Sequence, residues 1–226
     1  LWDTAIAANA LCDSGVSADH PALVKAAEWI LSKQVVKEGD WAIKNPQAMP
    51  GGWAFEFYNE LYPDCDDTAE ILIFLNRVGL PDSYHKLKES ERAISWLLSM
   101  QCQSGGWAAF DVDNEKEILN QVPFADHGAM LDPPTADVSG RVLWLLGQIG
   151  FNKDHLIVEK VIGFIKDRQE SDGSWWGRWG VNYIYGSWLA LTGLASIGED
   201  MRQPYVRRAI KWYEDHQNED GGWGET

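Results

Sequence analysis

Three aspartates crowd into one short stretch of the chain, and their spacing is its most suggestive chemical feature. Asp64, Asp66 and Asp67 fall within four positions, directly after Pro63 and shortly before the apolar run that starts at Ile71. Because proline is excluded from helix interiors, this stretch predicts the first turn of a helix that begins at about Asp67.

Two interpretations of this acidic cluster are open. Acidic side chains favour helix N-termini because they accept hydrogen bonds from free N–H groups and oppose the positive end of the helix dipole. Asp67 and Glu70 have the spacing of an acidic capping box. Alternatively, crowded carboxylates cannot all ionise easily, so one can keep its proton and act as an acid. The stretch alone does not choose between capping and catalysis.

Composition limits the classes of function. The chain has 226 residues, 19 of them basic and 34 acidic, with a formal net charge of -15. This length suffices for one sizeable domain or two small ones. The acidic balance argues against nucleic-acid binding and against a polybasic membrane patch. Three scattered cysteines suggest a reducing compartment and give no support for a structural zinc site. Since the chain begins at Leu1 and stops inside a Gly-Trp motif, we expect an internal fragment of a longer protein.

The remaining sequence predicts an all-α fold of repeated helical hairpins. Helices are predicted over residues 2–13, 20–33, 67–78, 86–100, 135–149, 156–167, 183–197 and 204–216. Each hairpin is followed by a Gln-x(3–5)-Gly-x-Trp unit, closed by Trp41, Trp107, Trp175 and Trp223. Such hairpins stack because one alone cannot bury its apolar face. Either an open solenoid or a closed α6–α6 (α/α) barrel would satisfy this. The unequal loops, collected at the start of alternate helices, favour the barrel.

The Gln-Gly-Trp units are interpreted as structural staples between repeats rather than as ligand contacts. Glycine permits a tight turn after the helix. Glutamine can bond free backbone groups at helix ends, and the large tryptophan ring covers the neighbouring hairpin.

Together, the tandem Gln-Gly-Trp units and the Asp-x-Asp-Asp-Thr-Ala stretch at residues 64–69 closely resemble the squalene–hopene cyclases, bacterial triterpene cyclases. Further stretches agree, at residues 51–55, 106–114, 132–134 and 177–186. The resemblance runs essentially end to end and implies an α6–α6 barrel. Residues 1–226 would be part of one catalytic barrel domain, with the family's second barrel absent. It implies an isomerase that converts squalene to hopene or hopanol by acid-initiated polycyclisation, inactive as this fragment alone.

Several alternatives accompany this resemblance. Cys65 and Glu70 echo the Asp-Cys-Thr-Ala-Glu motif of oxidosqualene cyclases, but Asp66 and Asp67 are kept. Class II diterpene cyclases share Asp-x-Asp-Asp but would not be expected to show the block at residues 177–183. A class II terpene cyclase with another substrate, a glycoside hydrolase on an α6–α6 barrel and a non-catalytic helical toroid are the competing functions.

By resemblance, Asp66 is the proton donor, with Asp64 and Asp67 beside it. An ionised neighbour and an apolar cavity would keep Asp66 neutral, and the three carboxyl groups would titrate as one set. Asp137 matches a further family aspartate, but Arg141 stands where its histidine partner is expected. Arg141 would either hold Asp64 or Asp67 ionised, making Asp66 a stronger acid, or form a plain i,i+4 ion pair with Asp137.

A cyclising cation needs stabilisation without a nucleophile, and aromatic faces each supply about 0.5–2 kcal/mol. By motif position the expected substrate-binding residues are Trp2, Phe55, Phe110, Phe124, Trp179 and Tyr185. Core packing is the alternative role for Trp2. Phe110 lacks the hydroxyl that relatives often carry there. Phe124 would narrow the substrate channel, Ala125 would leave more room in it, and His127 is expected on a surface or loop.

No cofactor is expected, because squalene carries no diphosphate and so requires no Mg²⁺. Asp111, Asp113 and Glu115 resemble the start of a calcium loop, but the glycine and late glutamate of an EF-hand do not follow. We expect squalene as the lipophilic partner and membrane association on the cytoplasmic side, through segments outside this fragment. A homodimer is a further expectation. The ratio of hopene to hopanol is not encoded in these residues.

Overall fold

Helices account for nearly all regular structure in residues 1–80, 86–114 and 131–225, the parts of the chain that a computed structural model describes. The chain divides into two units. Unit 1 comprises Leu1–Gln101 and Ala109–Val112, and unit 2 comprises Cys102–Ala108 and Asp113–Thr226. Across the described ranges, no helix is both long enough and apolar enough to cross a bilayer.

Unit 1 holds two helical hairpins and a small strand pair. Its helices are α1 (Trp2–Asp13), α2 (Pro21–Leu31), α3 (Trp41–Lys44), α4 (Cys65–Arg77) and α5 (Lys86–Ser99). Strands β1 (Trp53–Ala54) and β2 (Pro63–Asp64) pair antiparallel, with Trp53 opposite Asp64. Helices α1 and α4, the first of each hairpin, pack on one another. The strand pair, which the sequence did not predict, leads directly into α4.

Unit 2 holds the other two hairpins, built from α6 (Ala136–Gln148), α7 (Leu156–Asp167), α8 (Asn182–Ser196) and α9 (Pro204–Asp215). The first helices, α6 and α8, approach closely because glycines lie at their contact. A Cβ added at Gly140 would lie 2.6 Å from the carbonyl oxygen of Leu189, and one at Gly193 would lie 2.4 Å from the carbonyl oxygen of Gly140. Only glycine leaves room for this approach.

The predicted helices are all present, with ends shifted by one or two residues. Helices α1 and α7 have the predicted bounds, whereas α4 begins at Cys65, two residues before the predicted start. The shift arises because Asp64, in an extended conformation, is the N-cap of α4.

The staple between α7 and α9 has the predicted contacts. The side-chain amide of Gln169 donates to the carbonyl oxygens of Gly173 at 2.8 Å and Tyr205 at 2.7 Å. The indole N–H of Trp175 donates to the carbonyl oxygen of Ile165 at 2.7 Å. Gly173 has a φ of 102°, in the left-handed region that favours glycine. The unit therefore ties the end of one hairpin to the second helix of the next, as expected.

The first staple closes on a different tryptophan from the one predicted. Gln34 donates to the carbonyl oxygens of Gly51 at 2.7 Å and Glu89 at 2.8 Å. The indole N–H of Trp53 donates to the carbonyl oxygen of Ile30 at 2.8 Å, as Trp175 does in its own hairpin. Trp53, rather than Trp41, is therefore the closing residue of this unit.

The prediction of Trp41 was wrong because residues 35–50 are inserted between the glutamine and the glycine of the first staple. Trp41 instead begins α3 and is 3% exposed. Its ring lies edge-on to Trp96, with the ring centroids 6.1 Å apart. It serves the core of unit 1 and not the repeat.

Candidate functional site

The acidic cluster forms the N-terminus of α4, and one of its members caps the helix. Oδ1 of Asp64 accepts hydrogen bonds from the backbone N–H groups of Asp66 at 2.6 Å and Asp67 at 3.1 Å. The predicted capping box of Asp67 and Glu70 is wrong, because Asp67 is already the third residue of the helix. Capping therefore belongs to Asp64, while the side chains of Asp66 and Asp67 lie in the first turn.

All three carboxyl groups are buried, with exposures of 6% for Asp64, 6% for Asp66 and 2% for Asp67. Burial, and then the nearby charges of Asp67 and Asp66, raise the pKa of Asp64 well above its ordinary value. The two N–H groups that Asp64 accepts oppose this rise without overcoming it. The carboxyl group of Asp64 therefore retains its proton to a higher pH than an isolated aspartate would.

Backbone contacts fix the first turn of α4 against its surroundings in unit 1. The N–H of Trp53 donates to Oγ1 of Thr68 at 2.9 Å, and the N–H of Cys65 donates to the carbonyl oxygen of Ala109 at 2.7 Å. The helix is buried continuously from Cys65 to Leu75. The carboxyl groups are therefore held in place by hydrogen-bonded backbone and shielded from solvent, which is the arrangement that a neutral acid requires.

Two of the predicted aromatic residues line one pocket of unit 1. Trp2, at the start of α1, and Phe55, in the loop after β1, share a pocket of about 400 Å³. The pocket is also lined by Leu1, Asp3, Glu56, Phe57 and Tyr58. Phe55 is 53% exposed and Trp2 is partly exposed. Substrate binding and core packing both stay predictions for Trp2.

Of the other residues predicted for the substrate channel, the structure describes only Phe110 in this part of the chain. Phe110 is half-buried and belongs to the Ala109–Val112 segment of unit 1. Phe124, Ala125 and His127 lie outside the described residues, so their predicted roles stay predictions.

In unit 2, Asp137 binds a loop rather than Arg141. Asp137 is 1% exposed, and one of its oxygens accepts from Oγ1 of Thr135 at 2.5 Å. The other accepts from the backbone N–H groups of Arg178 at 2.8 Å and Trp179 at 3.0 Å. These described contacts use both carboxylate oxygens, so the plain i,i+4 ion pair with Arg141 is not what the structure has. Asp137 instead anchors the loop that carries Trp179.

Arg141 reaches a phenol on α8. Its Nη2 donates to the hydroxyl of Tyr185 at 2.9 Å, and its guanidinium lies 5.9 Å from the ring centroid of Trp188. The loop that carries Trp179 lies on the Tyr185 ring, since a Cβ added at Gly180 would lie 2.3 Å from that ring. The structure thus brings four predicted site residues of unit 2 into one cluster: Asp137, Arg141, Trp179 and Tyr185.

A set of buried hydroxyl groups at equivalent positions in successive repeats was not predicted from the sequence. Each accepts the backbone N–H of a staple tryptophan, as in the pairs Thr68–Trp53 at 2.9 Å, Ser139–Trp107 at 2.9 Å and Ser187–Trp175 at 2.8 Å. Two residues before these hydroxyl groups lie Asp66, Asp137 and Tyr185. The sequence signal was a hydroxyl residue near the start of the first helix in these three hairpins, two positions after Asp66, Asp137 or Tyr185.

The aspartates that resemble a calcium loop have other partners. Asp111 pairs with Lys44 at 2.9 Å, and Asp113 accepts from the backbone N–H of Gln103 at 2.9 Å. Within the described residues, no group of three or more His, Cys, Asp or Glu side chains is arranged to hold a metal ion.

Comparison with known proteins places this site in a family context. The family model "Squalene-hopene cyclase C-terminal domain" matches residues 1–226. The chain is 44% identical to the dammaradiene synthase of Dryopteris crassirhizoma, covering 100% of this chain and 36% of that protein. It is 42% identical to the squalene–hopene cyclase of Zymomonas mobilis, covering 100% of this chain and 35% of that protein. With that of Alicyclobacillus acidocaldarius it shares 45% identity, over 88% of this chain and 31% of that protein.

Solved structures show the same fold. The apo type II terpene cyclase MstE from Scytonema matches with a TM-score of 0.68 at 21% identity, over 100% of this chain and 57% of that one. This likeness confirms the predicted all-α fold class. The chain spans about a third of the length of the curated relatives it matches.

Proposed function

The chain belongs to the squalene–hopene cyclase C-terminal domain family, and we propose that it is the acid-bearing part of a squalene–hopene cyclase. The observation that carries the proposal is the buried cluster of Asp64, Asp66 and Asp67, in which burial and like charge raise the pKa of Asp64. Protonation of an unactivated alkene needs such a proton-retaining, water-poor carboxyl group. The proposed reaction is the polycyclisation of squalene to hopene or hopanol.

Asp66 is the proposed proton donor. Asp64 is committed to capping α4 through Oδ1, and its tendency to hold a proton limits the negative charge next to Asp66. The Asp66 proton adds to a terminal double bond, and the resulting cation is attacked by the next double bond along the chain. Loss of a proton from the final cation yields hopene, and addition of water followed by loss of a proton yields hopanol. The proton consumed at the start is therefore balanced at the end.

Aromatic rings are the proposed stabilisers of the cation. Trp2 and Phe55 line one pocket of unit 1, and Trp179 and Tyr185 belong to one cluster in unit 2. A cation over an aromatic face gains about 0.5–2 kcal/mol without meeting a nucleophile. We propose the same role for Phe110, and a channel role for Phe124.

Asp137 and Arg141 act in this proposal as positioning residues. Asp137 fixes the loop of Trp179 through two backbone N–H groups, and Arg141 orients the hydroxyl of Tyr185. The action of Arg141 on the acidity of Asp66 stays a prediction.

Membrane association on the cytoplasmic side and a homodimer complete the proposal. The lipophilic substrate supports the first, since squalene partitions into bilayers by the burial of its apolar surface. The contacts would come from parts of the protein outside these residues.

The test is conversion of squalene by the full-length protein that contains this chain, with products identified by gas chromatography and mass spectrometry. We expect a pentacyclic product, and Asp66→Asn should lower turnover by about 10²–10⁴-fold. Asp111→Asn is the matched control, because Asp111 pairs with Lys44 outside the acidic cluster. A wild type no more active than Asp66→Asn would refute the proposal.

Product analysis also separates the alternatives. One relative is named a dammaradiene synthase. A cyclised product other than hopene or hopanol would therefore identify a terpene cyclase with a different product. Hydrolysis of glycosides, with squalene left unchanged, would favour the hydrolase interpretation.

A further inference from the structure

A buried chain of polar side chains joins α1 to α4 below the acidic cluster. The amide nitrogen of Asn9 donates to Oε1 of Glu70 at 2.9 Å and to its carbonyl oxygen at 3.3 Å. Arg77 donates to Oδ1 of Asn9 at 3.2 Å and also pairs with Asp13. Asn9 is 5% exposed and Glu70 is 4% exposed. The sequence predicted no role for Asn9 beyond a position on a helix face. Glu70 was considered only for a capping box with Asp67, which the structure does not have, and for its likeness to an oxidosqualene cyclase motif.

These contacts fix the orientation of the Asn9 amide. A guanidinium has only donors, so Arg77 must meet the oxygen of the amide. The amide nitrogen then faces the carboxyl group of Glu70, which accepts. A buried amide with both ends committed is costly to displace, because any slip would leave polar groups unpaired in an apolar setting.

The same contacts give the direction and register of the two helices. Asn9 meets Glu70 and Arg77, and Asp13, one turn further along α1, meets Arg77. The helices therefore run in the same direction, and their N-terminal ends lie at the same end of the pair. At 1.5 Å per residue, Trp2 lies about 10 Å before Asn9 along α1. Likewise, Asp66 lies about 6 Å before Glu70 along α4.

We propose that Asn9 and Glu70 are positioning residues that set the register of α1 on α4. They thereby place the pocket of Trp2 and Phe55 relative to Asp66. This inference rests on the proposed function, because the register matters only if a cation formed near Asp66 must meet aromatic faces.

Loss of this register should change which products form. A cation that does not meet its aromatic face at the right stage loses a proton early, and the partly cyclised hydrocarbon is released. Displacement of a positioning group by about 1 Å can cost up to 10²-fold in rate. The product profile is therefore a sensitive reporter of helix register, whereas a purely structural loss would lower the amount of active enzyme and leave the profile unchanged.

The experiment replaces Asn9 by Leu in the full-length protein and measures products, kcat and KM with squalene. We expect kcat for complete cyclisation to fall by about 10-fold or more, given the cost of misplacement. We also expect a several-fold rise in the fraction of partly cyclised products. Asn45→Leu is the matched control, since Asn45 donates to the carbonyl oxygen of Ser99 elsewhere in unit 1. Its product profile should equal that of the wild type.

Three further variants separate positioning from simple destabilisation. Glu70→Gln keeps an acceptor oxygen for Asn9 and should retain most of the wild-type product profile. Glu70→Leu removes that acceptor and should give the same change in product profile as Asn9→Leu. Arg77→Gln is the milder variant if Asn9→Leu does not fold, because the Arg77 side chain is 24% exposed. It should shift the profile in the same direction by a smaller amount.

The outcomes are distinct. A wild type that cyclises squalene, with Asn9→Leu giving an unchanged product profile, overturns the positioning role alone. An equal shift in Asn45→Leu also overturns it. A wild type that leaves squalene unchanged shows that the proposed function is at fault, and the positioning role fails with it.

Discussion

An aspartate at a helix N-cap is usually stabilised in its charged form, because it accepts backbone N–H groups and faces the positive end of the helix dipole. Asp64 accepts two such groups, yet its pKa is raised well above the ordinary value. Burial and the charges of Asp66 and Asp67 outweigh the cap. The carboxyl group of Asp64 therefore resists ionisation in the folded protein, a cost that functional carboxylates often impose on stability as pH rises.

Replacing Asp64 by Asn should stabilise the protein at neutral pH while lowering activity. Asn keeps the oxygen that caps α4 and removes a carboxyl group whose ionisation the folded protein disfavours. Because the folded pKa of Asp64 is raised above the unfolded value, its stabilising effect is complete below about pH 4 and is lost as pH rises through the folded pKa. At pH 7 we expect a gain of about 1 kcal/mol, or roughly 2–4 °C in Tm.

Calorimetric melting of both proteins at pH 7 and pH 4 checks this expectation. The gain should shrink at pH 4, where the wild type is protonated too. A variant that melts below the wild type at pH 7, or that gains more at pH 4, would contradict the charge-crowding argument.

At this scale the sequence predicts that three carboxyl groups crowd together, but not what each of them contacts. The cluster was found from spacing alone, but Asp64 and Asp67 each have an acidic residue three positions later, so spacing cannot identify the cap. The backbone decides it, with φ -109° and ψ 132° at Asp64. The partners of Asp137 are backbone N–H groups 41 and 42 residues away, which no local pattern reveals.

Between helices, glycine determines how closely α6 and α8 approach. Gly140 and Gly193 lie where the two backbones meet, with no space for a Cβ on either. These helices carry Asp137, Arg141 and Tyr185. A change in their spacing would therefore be transmitted to the hydrogen bond between Arg141 and Tyr185.

Gly140→Ala should destabilise the protein by about 1–3 kcal/mol, the usual cost of overpacking. Gly163→Ala is the matched control, because Gly163 lies within α7 and an added Cβ there meets nothing within 4 Å. That control should be stabilising by about 0.5–1 kcal/mol through helix propensity. Urea unfolding of both variants measures the difference, and effects of the same sign would contradict the packing argument.

The hairpins were predictable because apolar periodicity is a local property, and α1 and α7 have the predicted bounds. Strands β1 and β2 were not predictable, since two-residue strands exist only through their pairing with each other. Helix α3 was not predictable for a similar reason, because its buried Trp41 packs on Trp96, 55 residues away in the chain.

At the scale of the whole chain, the glutamine side chains of the Gln-Gly-Trp staples differ in how deeply they are buried. Gln169 is partly buried and bonds two carbonyl oxygens, one of them on the next hairpin. Gln217 is exposed and bonds only Gly221 among its described contacts. Gln169 therefore links two hairpins, whereas the described contact of Gln217 lies within its own turn.

Gln169→Ala should cost about 1–3 kcal/mol, since it leaves two partly buried carbonyl oxygens without their donor. Gln217→Ala should cost less than about 1 kcal/mol, because water can replace an exposed donor. Chemical denaturation of the two variants tests this order. Equal losses would mean that the link between hairpins adds nothing beyond the turn.

The insertion in the first staple has a consequence for protein engineering. Gln34 and Gly51 are 17 positions apart, whereas Gln169 and Gly173 are 4 apart, yet both glutamines bond the glycine carbonyl. Loop-closure entropy rises by about 0.6 kcal/mol per doubling of length, so the longer loop costs only roughly 1.2 kcal/mol more. With Trp41, Lys44 and Asn45 retained for their contacts with Trp96, Asp111 and Ser99, the segment 46–50 is thus a permissive position for grafted peptides or length libraries.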